Sequence, residues 1–393
     1  MLTDLRFDAD LSLAVWLLLG VVLLTALFML TVYYCKLKKI ITVASTEPAD
    51  RQEAPAVSVI VYSSGNAERL EALVPEIYAQ EYPGEMEVIV VNAGRNENVK
   101  DAVTRLQHTY RKLYATFTTD QSRNLSHKKL AVTLGIKAAK NDVVVLTNDM
   151  VSIPGTQWLR LMTAPMNNPH TEVVIGHAYI VPECDTVHGH GMRLFNMAAD
   201  AVSYITGVLD CGTYRGNRNN LAYRRELFFR HKGFHKSLNL HDGDDDIFIN
   251  EVSTPHNTAV VVNKDAILGV TVPNARHAYR QEREARVFTG RQLRKRTRRF
   301  MSLCTAMMWI WLACSVTSVA LAWPNLLPVA VVTVSVIALL IPLTMMWNKV
   351  LVLLAGHSQG VMPLPRMMWR PIHNLKYRIS SRLHRDDHYT WLS

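Results

Sequence analysis

Four carboxylates fall within five residues at Asp242-Gly243-Asp244-Asp245-Asp246. Like charges packed this closely cannot all ionise cheaply in a confined site. The pKa of at least one must rise, as a general base or a cation site requires. A solvated acidic loop or a helix N-cap would use the same residues, since Asp favours both. The adjoining Ile247-Phe248-Ile249 sets the run against a core and favours chemistry. Further polar groups follow apolar runs: Asn92, the pair Asn148-Asp149, and Gly216-Asn217-Arg218-Asn219-Asn220. Lys128 by itself reads as an ordinary helix-surface lysine. His188-Gly-His190 reads as a polar loop, and without CxxC spacing neither a zinc site nor a disulfide framework is indicated.

The elements that must position these residues alternate. VSVIVY at 57–62, MEVIVV at 86–91, the stretch 114–119 and DVVVL at 142–146 read as strands. Helical patterns lie between them, through Leu70, Leu73, Val74 and Ile77, around 100–113, and over 127–139. Strands alternating with helices predict a mostly parallel α/β sheet covered on both faces, with ligands at the carboxyl ends of the strands. No GxGxxG follows the first strand and no GxxxxGK[ST] is present, so dinucleotide and P-loop readings lose their main support.

The 393 residues carry 43 Lys+Arg against 33 Asp+Glu, a formal charge of +10. That excess is local: Lys36–Lys39 carries +3, Arg291–Arg299 +6 and the tail from Lys349 +5, leaving −4 elsewhere. A basic excess confined in this way does not suit a nucleic-acid partner. Each basic segment borders an apolar run. No charge occurs between Leu11 and Cys35, or between Arg299 and Lys349, where Trp323-Pro324-Asn325 divides two spans. These lengths predict three membrane helices rather than a signal peptide or a buried soluble hairpin. The Lys/Arg bias puts the intervening block in the cytoplasm of an inner (plasma) membrane protein. The expected domains are an anchor and basic linker (1–49), a soluble block (50–290), a basic flank and transmembrane hairpin (291–347) and an interfacial tail (348–393). Cys184 and Cys211 are the two cysteines of the soluble block.

In order along the chain, PAVSVIVYSSGNAERLEALVPEIYAQEYPGEMEVIVVN, RNLSHKKLAVTLGIKAAKNDVVVLTND, GNRNNLAYRRELFFRHKGF and GDDDIFINEV resemble a membrane-bound glycosyltransferase of family 2. The resemblance covers about residues 55–290 and extends to one leading span, two trailing spans and the basic tail. It implies the GT-A fold, a Rossmann-like and mostly parallel sheet, in a cytoplasmic domain held by one N-terminal and two C-terminal transmembrane helices. It also implies inverting transfer from a nucleotide sugar. Asp245 would be the general base with Asp244 beside it. Ser63, Asn66, Glu68, Asn92, Lys128 and Asn148 would lie on the donor side, and Asn220, Arg224, Asp246, Gln281, Arg283 and Arg286 on the acceptor side.

Three departures from the family pattern matter. The metal-binding DxD triplet is Asn148-Asp149-Met150, which leaves Asp149 as the one carboxylate for a divalent cation, Mg or Mn. The acidic pair after the second strand is Asn92-Ala93, so uridine recognition is not expected from it. The QxxRW-type motif becomes Gln281-Glu282-Arg283-Glu284-Ala285-Arg286, equally a charged interfacial helix. A lipid or lipid-linked alcohol is the expected acceptor, since three spans are few to enclose a polymer tunnel. A polysaccharide synthase that dimerises or uses a partner channel, and a catalytically weakened membrane scaffold, are the alternatives.

Overall fold

The computed structural model describes residues 6–46, 53–63, 65–118, 126–181, 190–210 and 215–383, the side chains of 95 and 295–298 excepted. Ser64, Thr119, Cys184, His188 and Cys211 lie outside the described residues. Helix α1 (Leu13–Ser45) leads into strand β1 (Val57–Ser63), α2 (Ala67–Tyr78), β2 (Met86–Asn92), α3 (Glu97–Gln107) and β3 (Leu113–Phe117). Then come α4 (His127–Ala138), β4 (Val143–Asn148), β5 (Val151–Ser152), α5 (Trp158–Thr163), β6 (Val173–Ile175), β7 (Ala178–Ile180) and α6 (Gly191–Leu209). The domain closes with β8 (Leu221–Arg224), α7 (Arg225–Arg230), α8 (Ile247–Val252), β9 (Thr258–Val260), β10 (Leu268–Val270) and α9 (Ala275–Thr289). Three further helices follow among the described residues: α10 (Lys295–Ala322), α11 (Leu327–Ala355) and α12 (Pro363–Leu383).

A seven-stranded sheet runs in the order β3-β2-β1-β4-β8-β6-β9, with β5-β10-β7 forming a second small sheet. The inner strands are apolar on both faces because helices cover both. Side chains alternate along a strand, so Val57, Val59, Val61, Val143 and Val145 share one core with Leu70 and Leu73 of α2. Ile60, Ile89, Val144 and Leu146 face the other, with Ile136 of α4 and Phe195 of α6. Each such residue stabilises the fold by roughly 1.5–3 kcal/mol relative to exposure. Strands β1 to β4 are mutually parallel, and β8 reverses direction against β4 and β6. That register aligns the strand ends: Ser63 lies opposite Asn92, and Asn148 opposite Tyr62.

The helices Leu13–Ser45, Arg299–Ala322 and Leu327–Ala355 are each long and apolar enough to cross a membrane. They pack together, with α1 against both α10 and α11. At one end of the bundle Arg6 bridges Asn325, and the Asn325 amide donates to Asp8 at 2.9 Å. The other end meets the domain. Lys39 of α1 pairs with Asp210, and Asn263 donates to the carbonyls of Ala44 and Thr46 at 3.2 Å. The buried His177 donates its Nε2–H to Leu354 O of α11 at 2.8 Å. The basic segment after Cys35, expected as a linker, is helical instead. No Gly or Pro interrupts it before Pro48, and Leu37 and Ile40 are fully buried, so α1 runs on for about 50 Å, beyond the hydrocarbon thickness.

Candidate functional site

Gly243 makes the acidic run possible as a compact turn. Its φ of +108° suits glycine, and an added Cβ would meet Ile247 at 2.7 Å. Helix α4 braces the same turn. Ser126 caps α4 by accepting from the Lys129 N–H, and its own hydroxyl donates to His241 O. Lys129 is wholly buried, and its ammonium donates to the carbonyls of Ser237, Leu240 and Asp242, the last two at 2.9 and 2.6 Å. Burial lowers its pKa to about 8, with the Asp244 and Asp242 charges opposing. Sequence reasoning missed Lys129 in favour of Lys128. The signal was present, because Lys129, Val132 and Ile136 share the inward stripe of α4.

Asp244, Asp245 and Asp246 are all buried, yet each has a different environment. Lys128 lies 2.7 Å from Asp244. Burial would raise the Asp244 pKa, but Lys128 and Arg218 outweigh it and hold that carboxyl well below the ordinary range. For Asp245, burial wins. With the Asp246 and Asp244 charges adding to burial and Arg218 opposing, its pKa is pushed up to about 6. The Arg218 backbone N–H donates to Asp245 Oδ2 at 3.2 Å, and its guanidinium lies 3.6 Å from Oδ1 and 2.7 Å from Asp242. Oδ1 of Asp244 and Oδ1 of Asp245 have no hydrogen-bond partner among the described residues. Asp246 is used differently. It accepts from the Ile247 N–H as the N-cap of α8 and from the Thr289 hydroxyl of α9. Arg218, which the sequence placed merely within a polar segment, is thus the cation that touches two of the four carboxylates.

The strand ends join this loop. Asn148 donates to Asn219 Oδ1 at 2.6 Å, and Thr147 donates to Asn219 O at 3.0 Å, which seats the residue after Arg218 on the end of β4. Asp149 is buried and accepts from Ser63 Oγ at 2.9 Å. The phenol of Tyr62 at the end of β1 is raised by burial, then by Asp149 and Asp244, so both carboxylates act on one side chain. Ser63, Lys128, Asn148, Asp149, Asp244 and Asp245 therefore gather at the carboxyl end of the parallel strands.

Other expected residues serve the scaffold. Asn92 closes its own turn through Asn96, and Asn66 caps α2 through the Arg69 N–H. Glu68 is exposed in the first turn of α2. Asn220 has no exposure. It accepts from Trp158 Nε1 at 3.0 Å and donates to His177 O and Ala266 O at 2.9 and 2.7 Å. Arg224 pairs in register with Val143, at the amino end of β4, and donates to the carbonyls of Thr171, Met166 and Asn168. The antiparallel direction of β8 carries Arg224 away from the strand ends that hold the carboxylates.

The altered QxxRW segment lies in α9. Gln281 is exposed, while Arg283 and Arg286 turn inward to Asp200 of α6, which also meets Arg370 of α12 at 2.6 Å. Burial would raise the Asp200 pKa, but Arg283, Arg370 and Arg286 overcome it and hold the carboxyl well below its usual value. Arg286 also pairs with Glu282 and feels the charge of Asp245. Among the described residues, no group of three His, Cys, Asp or Glu side chains could hold a metal ion.

Residues 57–226 match the family model described as glycosyl transferase family 2. Among solved structures, the mannosyltransferase PcManGT from Pyrobaculum calidifontis, in complex with GDP-Man and Mn2+, is similar at a TM-score of 0.53 and 18% identity. The match covers 90% of this chain and 99% of that one. Glucosyl-3-phosphoglycerate synthase from Mycobacterium tuberculosis, with Mn2+, UDP and glucosyl-3-phosphoglycerate, matches at 13% identity and a TM-score of 0.41, over 61% of this chain and 81% of that one. No curated protein matches the sequence. The mixed α/β architecture with its mostly parallel central sheet is the GT-A fold.

Proposed function

We propose that this chain, a glycosyltransferase whose residues 57–226 form a family 2 domain, moves a sugar from a nucleotide-sugar donor to a hydroxyl of a membrane lipid or lipid-linked acceptor, with inversion. One observation carries the reading. Asp245 is a buried carboxylate with one oxygen that accepts no hydrogen bond from the described residues and a pKa pushed up to about 6, beside strand ends where a GT-A sheet binds its ligand. A general base works best with a pKa near the operating pH, and an alcohol is a poor nucleophile without one. Asp245 takes the acceptor hydroxyl proton as that oxygen bonds to the anomeric carbon. The bond from that carbon to the nucleoside diphosphate breaks on the opposite face, and the diphosphate leaves with the electron pair. Lys128 and Arg218 keep Asp244 ionised, which holds a second negative charge beside the base.

Asp149 supplies a single buried carboxylate, while the Asn148 side-chain oxygen accepts from the Met150 N–H. Such a donor set suits a hard cation shared with phosphate oxygens rather than an all-protein cage. Asp149 would hold Mg2+ or Mn2+ there, and the ion would neutralise charge on the leaving diphosphate. The acceptor reading draws on α12, where Trp369, Ile372, Leu375, Ile379 and Leu383 are exposed among Arg and Lys residues, as in helices that lie in a membrane interface. The Lys/Arg bias supports a cytoplasmic domain on an inner membrane, with α1, α10 and α11 as the spans.

Membranes containing the chain, incubated with labelled UDP-, GDP- and CDP-linked sugars with and without Mn2+, test this. Label recovered in an organic-solvent extract is the expected outcome. Label in a high-mass aqueous fraction would instead make the chain a polysaccharide synthase subunit. No transfer from any donor would leave a membrane scaffold.

A further inference from the structure

We propose that a groove between the domain-side ends of α1 and α11 binds an anionic phospholipid. Its phosphate would lie between Lys264 and Lys349, and an acyl chain along Ile41, Ala44, Val352 and Leu353. The groove encloses about 550 Å³, within the range of ordinary ligand pockets. It is separate from the Asp245 site and is built from three parts of the chain. Lys264 opens the turn that follows β9. Asn263, its neighbour, fixes that turn to the end of α1 by donating to the carbonyls of Ala44 and Thr46. Lys349 is the single charged residue of α11 and lies near the end of that helix where His177 docks it to the domain. Both lysines are exposed, and neither has an ion-pair partner among the described residues.

The chemistry selects the occupant. Two cations sit on a mainly apolar groove, with Ser45 and Asn348 also in its lining, between helices long enough to span a bilayer. Basic pockets between such helices on the cytoplasmic side bind anionic head groups, and the apolar walls accept a chain that a free phosphate lacks. A lipid held there would tie α1, α11 and the β9 edge of the domain together and fix the domain's height above the bilayer. The inference rests on reading α1 and α11 as membrane spans.

The full chain in nanodiscs of mixed phosphatidylglycerol and phosphatidylcholine, released for native mass spectrometry, provides the test. Retained lipid should be enriched in phosphatidylglycerol about tenfold over the bilayer, a ratio two juxtamembrane lysines can supply. In Lys264→Gln/Lys349→Gln the ratio should return to that of the bilayer. Ala44→Trp, which fills the groove without touching its charge, should remove retained lipid of both kinds and keeps the test decisive if the double variant fails to fold. Wild-type retention at the bilayer ratio, enrichment that survives the double substitution, or enrichment erased by millimolar inorganic phosphate would each overturn the proposal. Alkaline extraction of membranes tests the span reading separately. A chain retained in the pellet but lacking lipid selectivity overturns the groove alone.

Discussion

Two charge clusters in this molecule contrast in how their opposite charges balance. Around Asp200, one carboxylate meets the guanidinium groups of Arg283, Arg286 and Arg370, and its pKa falls. Around Asp245, four carboxylates have the side chains of Lys128 and Arg218 as cations in contact, two oxygens lack a hydrogen-bond partner among the described residues, and one pKa rises. A buried ion held by surplus opposite charge fixes the elements that carry it, here α6, α9 and α12. A buried carboxylate short of partners is costly to the fold and is suited to accepting a proton. The contrast separates a structural junction from a candidate reaction centre within one domain.

The strongest way to break this contrast is Asp245→Asn. Turnover should fall about 10²–10⁴-fold, the range attributed to general base catalysis. Stability at pH 7.5 should not fall. The folded-state pKa of Asp245 is raised, so its stabilising contribution is present below the unfolded value of about 3.9 and is lost as pH rises through about 6. Asparagine removes that loss. Steady-state transfer and thermal unfolding in detergent, measured together, check both halves. Wild-type turnover in the variant would sink the base assignment.

Asp200→Asn should do the reverse. Removing the carboxylate shared by the buried Arg283 and the half-buried Arg286 and Arg370 should cost about 3 kcal/mol, the low end for breaking a buried pair because Arg286 keeps Glu282 and Arg370 keeps Asn196, read as a lower unfolding midpoint. The sign with pH is opposite as well. Asp200 has a depressed pKa, so its contribution is present above about 3.9 and is lost as pH falls toward the folded value. An unchanged midpoint would show that α9 and α12 are held by other contacts.

A smaller effect lies in the wild-type pH profile. Below about pH 6, kcat/KM should decline roughly tenfold per pH unit as Asp245 takes up its proton. A profile flat from pH 5 to 7 would assign the base elsewhere. Replacing Asp244 by Asn removes one of the charges that raise Asp245, so the midpoint should move to lower pH.

Much of this architecture was legible in the sequence. Apolar β-branched runs gave β1, β2 and β4, and uncharged stretches gave the three long helices. The acidic run stood out as a candidate site because Ile247-Phe248-Ile249 follows it directly. The partners were harder to read, since they depend on which way a strand runs and which face of a helix turns inward. Lys128 and Lys129 differ by one residue, yet one reaches Asp244 while the other pins the loop by three carbonyls. Arg283 and Arg286 appeared as an altered motif, but their common partner, Asp200, lies more than eighty residues earlier.

Arg224 gives the smallest expected effect and sharpens the contrast from outside both clusters. It lies four positions after Asn220, close enough in sequence for both to seem part of one acceptor-side segment. The register of β8 on β4 separates them in space. Leu221 pairs with Leu146 near the reaction end, whereas Arg224 pairs with Val143 at the opposite end. Its guanidinium donates to three carbonyls of the segment 166–171, so Arg224→Ala should lower stability by about 1–2 kcal/mol, within the range of hydrogen bonds to charged groups. Transfer per folded molecule should stay at the wild-type level. A tenfold fall in kcat/KM with an unchanged unfolding midpoint would return Arg224 to the acceptor side, and would mean that the acceptor reaches across the sheet to its amino end.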